Sequence, residues 1–178
     1  MQIKNTQNKY GITTILFHWI MAVIIIGLLG FGIYMTRLSI SLTKLKMYGW
    51  HKEFGMLVLG LVILRILWRF INITPRLPDT LTKFEKFSAR SVHWLFYLFM
   101  FAMPITGWLI TSAAGLPVSF FGLFLIPNLI ETNEPLRILF QVIHQWLGYA
   151  LIGVICLHIS AALKHHFINR DDVLRRIV

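Results

Sequence analysis

Residues 138–166 read ILFQVIHQWLGYALIGVICLHISAALKHH, an apolar run with no Asp, Glu, Lys or Arg before Lys164. About 20 such residues in a helix cross the hydrocarbon layer of a bilayer, so a span is expected here. Two histidines interrupt the run, His144 and His158, 14 residues apart. At 1.5 Å and 100° per residue they differ by about 21 Å in height and about 40° in direction. Both project from nearly one helix face, close to opposite edges of a ~30 Å apolar layer. Ionisable groups at membrane depth are costly, and a pair so arranged points to a function.

The rest of the 178-residue chain has the same character, with 57% hydrophobic residues and 13% charged. That charged share is about half the ~25% usual for soluble domains. Membrane spans are expected at roughly 14–35, 50–70, 92–114 and 138–163, the third kinked at Pro104. The expectation is an all-α fold: a single integral membrane domain over 1–178, built as a four-helix bundle. The first stretch is too long for a signal-peptide core and no A-x-A site follows, so it reads as a retained span. The run SFFGLFLI, between Pro117 and Pro127, is too short to cross and is expected to lie on or in the interface. Trp19, Trp50, Trp68, Trp94 and Trp146 fall near span ends, as interfacial anchors do.

Seventeen Lys and Arg against seven Asp and Glu give a net charge of +10. Nucleic-acid binders carry such charge on one face of a soluble fold, and this chain is too apolar for that. Four spans place both termini on one side, which carries most of the basic residues and is therefore cytoplasmic. The opposite side remains basic at Arg37, Lys44, Lys46 and Lys52. The single cysteine, Cys156, excludes an intrachain disulfide, and the lack of CxxCH excludes covalent haem attachment.

With this topology His18 shares the cytoplasmic depth with His158, and His51 shares the outer depth with His144. Two imidazoles from different helices at one depth fill both axial positions of a haem iron, and here this happens twice. Four residues after these histidines stand Ala22, Gly55, Gly148 and Ala162, all small, leaving room on the same face for a porphyrin edge. Tyr97 occupies the corresponding position after His93 and would obstruct one. The pattern predicts two non-covalent b-type haems, each held by two histidines. Two histidines per depth make a poor zinc or non-haem iron site. His165 and His166 are adjacent and face different directions. Arg65 and Arg69 sit one turn apart toward the cytoplasm, placed either to pair with haem propionates or to reach the headgroups.

The sequence resembles the bacterial four-helix cytochrome b561 family nearly end to end. The resemblance is carried by FHW at Phe17–Trp19, WH followed by Gly55, RILWR at Arg65–Arg69 and HWLFYLF from His93. It continues through His144 with LGY at Leu147–Tyr149, and His158 with AALKHH ending at His166. Close members are diheme proteins of the inner membrane that act as superoxide oxidases. The resemblance implies that His18 and His158 hold the cytoplasmic-side haem, and His51 and His144 the periplasmic one. It further implies superoxide oxidation at the periplasmic side and ubiquinone reduction near the cytoplasmic side. The residues matching the quinone region are His93, His165 and Lys83, the last in a connection, TPRLPDTLTKFEK, shorter than the family's.

Under that reading Arg37, Lys44, Lys46 and Lys52 would steer the superoxide anion toward the outer haem; contact with anionic lipid is the other reading. No catalytic side chain is expected, since the cofactor carries the chemistry. No obligate protein partner is expected, because no extra domain or long extramembrane arm is present. The competing function is a cytochrome b subunit that anchors a dehydrogenase or hydrogenase and links it to the quinone pool. A histidine proton relay in a small channel or transporter is the third reading.

Overall fold

The computed structural model describes residues 2–78 and 80–177, within which four long helices follow one another. These are α1 (Ile12–Thr36), α2 (Leu42–Phe70), α3 (Lys83–Ala113) and α4 (Glu134–Leu163). Side-chain caps start three of them. The Ser41 hydroxyl accepts from the Lys44 N–H and the Asn133 amide oxygen from the Leu136 N–H. Thr82 and Glu85 form a reciprocal capping box at 3.2 and 3.0 Å. Each such cap contributes about 1 kcal/mol. Pro135, in the first turn of α4, costs no helical hydrogen bond there. Pro104 lies inside α3, as expected.

Consecutive helices pack side by side, α1 on α2, α2 on α3, and α3 on α4. Met21, Val58, Val62 and Met100 form the buried centre of the first three, with Phe17, Phe96 and Tyr97 around it. The fourth helix buries Leu151 and leaves most of its apolar residues outward. Val23 and Leu157, exposed by 70% and 68%, typify the outer surface. An apolar exterior this extensive suits lipid rather than water.

Three helical segments, Ile12–Thr36, Lys83–Ala113 and Glu134–Asn169, are long and apolar enough to cross a membrane. The remaining expected span, 50–70, falls within α2. That helix has the length, but Lys44, Lys46, Lys52, Glu53, Arg65 and Arg69 lower its apolar character below that of the others. It is nevertheless part of the bundle, because its Val58 and Val62 complete the core.

The segment between α3 and α4 forms a hairpin, β1 (Val118–Phe120) with β2 (Phe124–Ile126), antiparallel in the register Val118 to Ile126. Phe121 and Gly122 turn it, both with positive φ (51° and 73°). The Phe121 ring meets Phe54 of α2 edge-on at 5.3 Å and so holds the hairpin against the bundle. The run expected to lie at the interface is thus a hairpin seated on α2.

After α4 the chain winds into a wider π-helical turn, Lys164–Asn169, and a short 3₁₀ turn, Leu174–Arg176. The last residues return to α1, where the Trp19 indole donates to the Ile177 carbonyl at 2.8 Å. Arg176 donates to the Arg76 carbonyl at 2.7 Å. At the same end Asn5 accepts from the Gly11 N–H and the Thr14 hydroxyl, both at 2.8 Å, and donates to the Ile73 carbonyl. Thr14 in turn accepts from the Trp68 indole at 3.1 Å. A Cβ on Gly11 would lie 2.4 Å from the Ile3 carbonyl oxygen, so only glycine lets the N-terminal segment fold this closely onto α1. Replacing Asn5 with Ala leaves the Gly11 and Ile73 backbone groups unpaired. It is expected to cost about 1–3 kcal/mol, read as a lower midpoint in thermal unfolding of the detergent-solubilised protein.

Candidate functional site

The histidines of α4 each meet a partner from another helix. The rings of His51 on α2 and His144 lie with centroids 6.3 Å apart, and so do those of His18 on α1 and His158. Both pairings expected from depth therefore occur. His93 of α3 also lies 6.3 Å from His158, at nearly the same inclination as His18. Sequence reasoning set His93 apart through Tyr97, although His93, two residues into the third apolar stretch, stands at that depth too. His18 and His158 are half-buried, whereas His93 is exposed. Among the described residues no group of three or more His, Cys, Asp or Glu is arranged to hold a bare metal ion.

Between His51 and His144 lies a partly open cleft. All four helices and β1 line it, including Leu29, Gly55, Met100 and Val118. The His144 Nδ1 lies 2.9 Å from the Thr106 hydroxyl oxygen, which also lies 2.7 and 2.9 Å from the Ala102 and Met103 carbonyls. Carbonyls only accept, so the hydroxyl proton goes to one of them and the oxygen accepts the His144 Nδ1–H. That arrangement leaves Nε2 of His144 with its lone pair free, the state in which imidazole binds a metal. The His51 Nδ1 is buried without a hydrogen-bond partner.

Glycines give both rings their room, but not wholly those expected. A Cβ on Gly32 would stand 3.2 Å from His51 Cε1, and one on Gly107 would stand 3.4 Å from His144 Cε1. These glycines belong to the neighbouring helices α1 and α3, where same-helix spacing could not find them. Gly55 does line the cleft. Gly148 instead faces Met103 and Leu29 at ordinary packing distance.

Lys52 lines the cleft beside His51. Lys44 turns back to donate to the Leu38 carbonyl at 2.6 Å, while Arg37 and Lys46 are exposed. The four basic residues thus separate into one at the cleft, one tied to a loop and two on the surface. At the opposite end Arg65 and Arg69 flank the Tyr97 ring, 5.9 and 5.7 Å from its centroid. Arg65 also approaches the Met21 sulfur at 3.9 Å. Burial pushes the Tyr10 hydroxyl above its usual range, with Arg69, Arg176 and Arg65 pulling it back. Lys83 is the first residue of α3 and is exposed. Two residues on, Glu85 accepts from Lys164 at 3.1 Å, bringing the start of α3 beside the π-turn that holds His165. His165 pairs with Asp171, a partner that sequence reasoning missed. His166 faces elsewhere, its Nδ1 buried without a partner.

A family model described as prokaryotic cytochrome b561 matches residues 9–178. The chain belongs to the prokaryotic cytochrome b561 family. It is 33% identical over 185 residues to cytochrome b561 homolog 2 of Escherichia coli (strain K12), covering 100% of this chain and 95% of that protein. It is 27% identical over 188 residues to cytochrome b561 homolog 1 of the same organism, covering 96% and 97%. Over 128 residues it is 31% identical to the probable superoxide oxidase CybB of Yersinia pestis, covering 72% of each. Members of the family are membrane electron-transfer proteins that bind b-type haem.

The residues present fit such a group at the cleft. An iron held between two imidazole nitrogens at about 2 Å apiece separates the ring centroids by about 6 Å, and His51 and His144 stand at 6.3 Å. Thr106→Val removes the acceptor that orients His144 and is expected to weaken haem retention roughly 10- to 100-fold. Transfer of haem to an apo-globin acceptor measures it. Thr111→Val, which loses only bonds to Gly107 and Trp108 within its own helix, serves as the control.

Proposed function

We propose that this chain is a diheme b-type cytochrome of the bacterial inner membrane that oxidises superoxide at the periplasmic side and reduces ubiquinone near the cytoplasmic side. In this reading all four helices cross the membrane and both termini are cytoplasmic. The observation that carries it is the pair of matched ring separations, 6.3 Å at His18–His158 and 6.3 Å at His51–His144, on one face of α4. His51 and His144 hold the outer haem, and His18 and His158 the cytoplasmic-side one. Both rings stand 6.3 Å from His158, and the family resemblance selects His18 as the second ligand and leaves His93 at the quinone edge.

Bound b-type haem supplies one-electron acceptance and release. The chain's residues do the rest. Gly32, Gly55 and Gly107 keep the cleft open, Thr106 orients His144, and Lys52 presents a positive charge at the cleft. A cation there raises the encounter rate of a small anion, with Arg37, Lys44 and Lys46 adding to the field. The name of the Yersinia pestis relative, a probable superoxide oxidase, supports this choice of donor. At the other end Arg65 and Arg69 are placed to pair with propionates, and His93, His165 and Lys83 to receive the quinone.

The test is purification of the protein alone in detergent, with spectra recorded on addition of superoxide and then a ubiquinone analogue. Two haems per chain, reduced by superoxide and reoxidised by the quinone, are expected. Colourless protein overturns the reading. Red protein that ignores superoxide and copurifies with a soluble redox subunit moves the assignment to an anchoring cytochrome b. His144→Ala is expected to leave one haem of the two, and His93→Ala to leave both while slowing quinone reduction. Haem loss in His93→Ala would make His93 the partner of His158.

A further inference from the structure

The His165–Asp171 pair stands outside the two ring pairs, at the end of the bundle that carries the termini. His165 Nδ1 lies 2.6 Å from Asp171 Oδ2, with both side chains 11% exposed. In a regular helix six residues turn about 600°, so Asp171 would point about 120° away from His165. The π-helical turn Lys164–Asn169 and the left-handed Arg170 (φ 53°) that ends it prevent this. They fold the chain back until the Arg170 and Asp171 N–H groups both donate to the His165 carbonyl. The second carboxylate oxygen of Asp171 accepts from the Val173 N–H at 3.0 Å, which fixes the group from behind. The Asn169 side-chain nitrogen lies 3.2 Å from the same His165 Nδ1, but an amide nitrogen only donates, so it makes no hydrogen bond there while Asp171 holds the Nδ1–H. Turns of this kind are rare and concentrate at functional sites.

We propose that Asp171 is a positioning residue for proton transfer by His165 during quinone reduction. The proposal rests on the reading of His165 as part of the quinone site. The carboxylate accepts the Nδ1–H, so Nε2 is the nitrogen left to face a substrate, and the negative charge stabilises the ring whenever it is an imidazolium. His165 lies seven residues beyond His158, about 10 Å farther along and on nearly the same helix face. A quinone there becomes a quinol by taking up two electrons and two protons. Two superoxide ions release the electrons and depart as two molecules of oxygen. The step assigned to this pair is one proton. It leaves Nε2 of the His165 imidazolium for a quinone carbonyl oxygen, Nδ1–H stays on Asp171, and the neutral ring is reprotonated from cytoplasmic water.

Rapid mixing of the oxidised holoprotein with a short-chain ubiquinol tests this by the reverse reaction, without superoxide. Asp171→Asn keeps an acceptor of similar shape but no charge. Its haem spectrum and half-saturating quinol concentration are expected to stay within about twofold of the parent. Its maximal rate of haem reduction is expected to fall at least about tenfold, with a larger solvent deuterium isotope effect. His165→Gln is expected to be as slow, and the double variant no slower than either. A parent-like rate and isotope effect in Asp171→Asn overturn the proposal alone, and so does a loss confined to quinol affinity. A parent protein that does not react with quinol overturns the quinone reading and this proposal together. Should Asp171→Asn lose its haem, a parent-like rate in His165→Gln overturns the proposal, and a slow one with an enlarged isotope effect supports it.

Discussion

Two imidazoles on one face of α4, about 21 Å apart along its axis, set the terms for the other three helices. A neutral imidazole among apolar side chains keeps a costly polar nitrogen unless something takes it. α1 and α3 bring His18 and His93 to His158, and α2 brings His51 to His144. The rings stand too far apart to bond each other directly, and Thr106 takes only the far nitrogen of His144. What remains between His51 and His144 is a cleft whose width suits an iron held from both sides. The helices leave that width open by using glycine where a Cβ would press on a ring.

The same requirement explains the unusual balance of α2. A span meant only to cross would shed its charges, yet α2 carries basic residues near both ends and Arg65 within. Lys52 stands at the cleft, and Arg65 and Arg69 hold Tyr97 between them at the other end. The charges therefore cluster at the two levels where the histidines meet. Between them Val58 and Val62 keep the helix anchored in an apolar core. On the proposed function, a helix that serves sites at both levels gives up apolar character to gain them, which accounts for the composition that separates it from its neighbours.

Much of this was legible because helical geometry is regular. Spacing on α4 gave height and direction for His144 and His158, and the depth of the other spans gave their partners. Legibility ended where the answer lay between helices or in irregular backbone. Gly32 and Gly107 matter only through rings on other helices, so no spacing within one helix reveals them. Tyr97 suggested that His93 stands apart, but its ring lies with Arg65 and Arg69, and His93 reaches His158 as closely as His18 does. The run SFFGLFLI hid a hairpin because its turn uses Phe121 at positive φ, a conformation that sequence gives no reason to expect of phenylalanine. Asp171 was invisible as a partner of His165 because regular helical geometry puts the two apart.

On the proposed function, the two ends of the bundle solve opposite problems with the same chain. The hairpin end presents a cleft with one lysine at its wall, which asks little of an incoming anion beyond charge and small size. The end with the termini is tied together by Asn5, Thr14, Trp68, Trp19 and Arg176 through hydrogen bonds between distant segments. A quinone head must be held in register with a proton source, and a proton source must keep one ring nitrogen fixed while the other exchanges. Local order is needed there, and the chain supplies it with backbone as well as side chains, down to a π-turn that brings a carboxylate to His165. Electron entry by a diffusing anion needs attraction and access, whereas proton-coupled exit needs geometry. On that reading the asymmetry of the fold follows the difference.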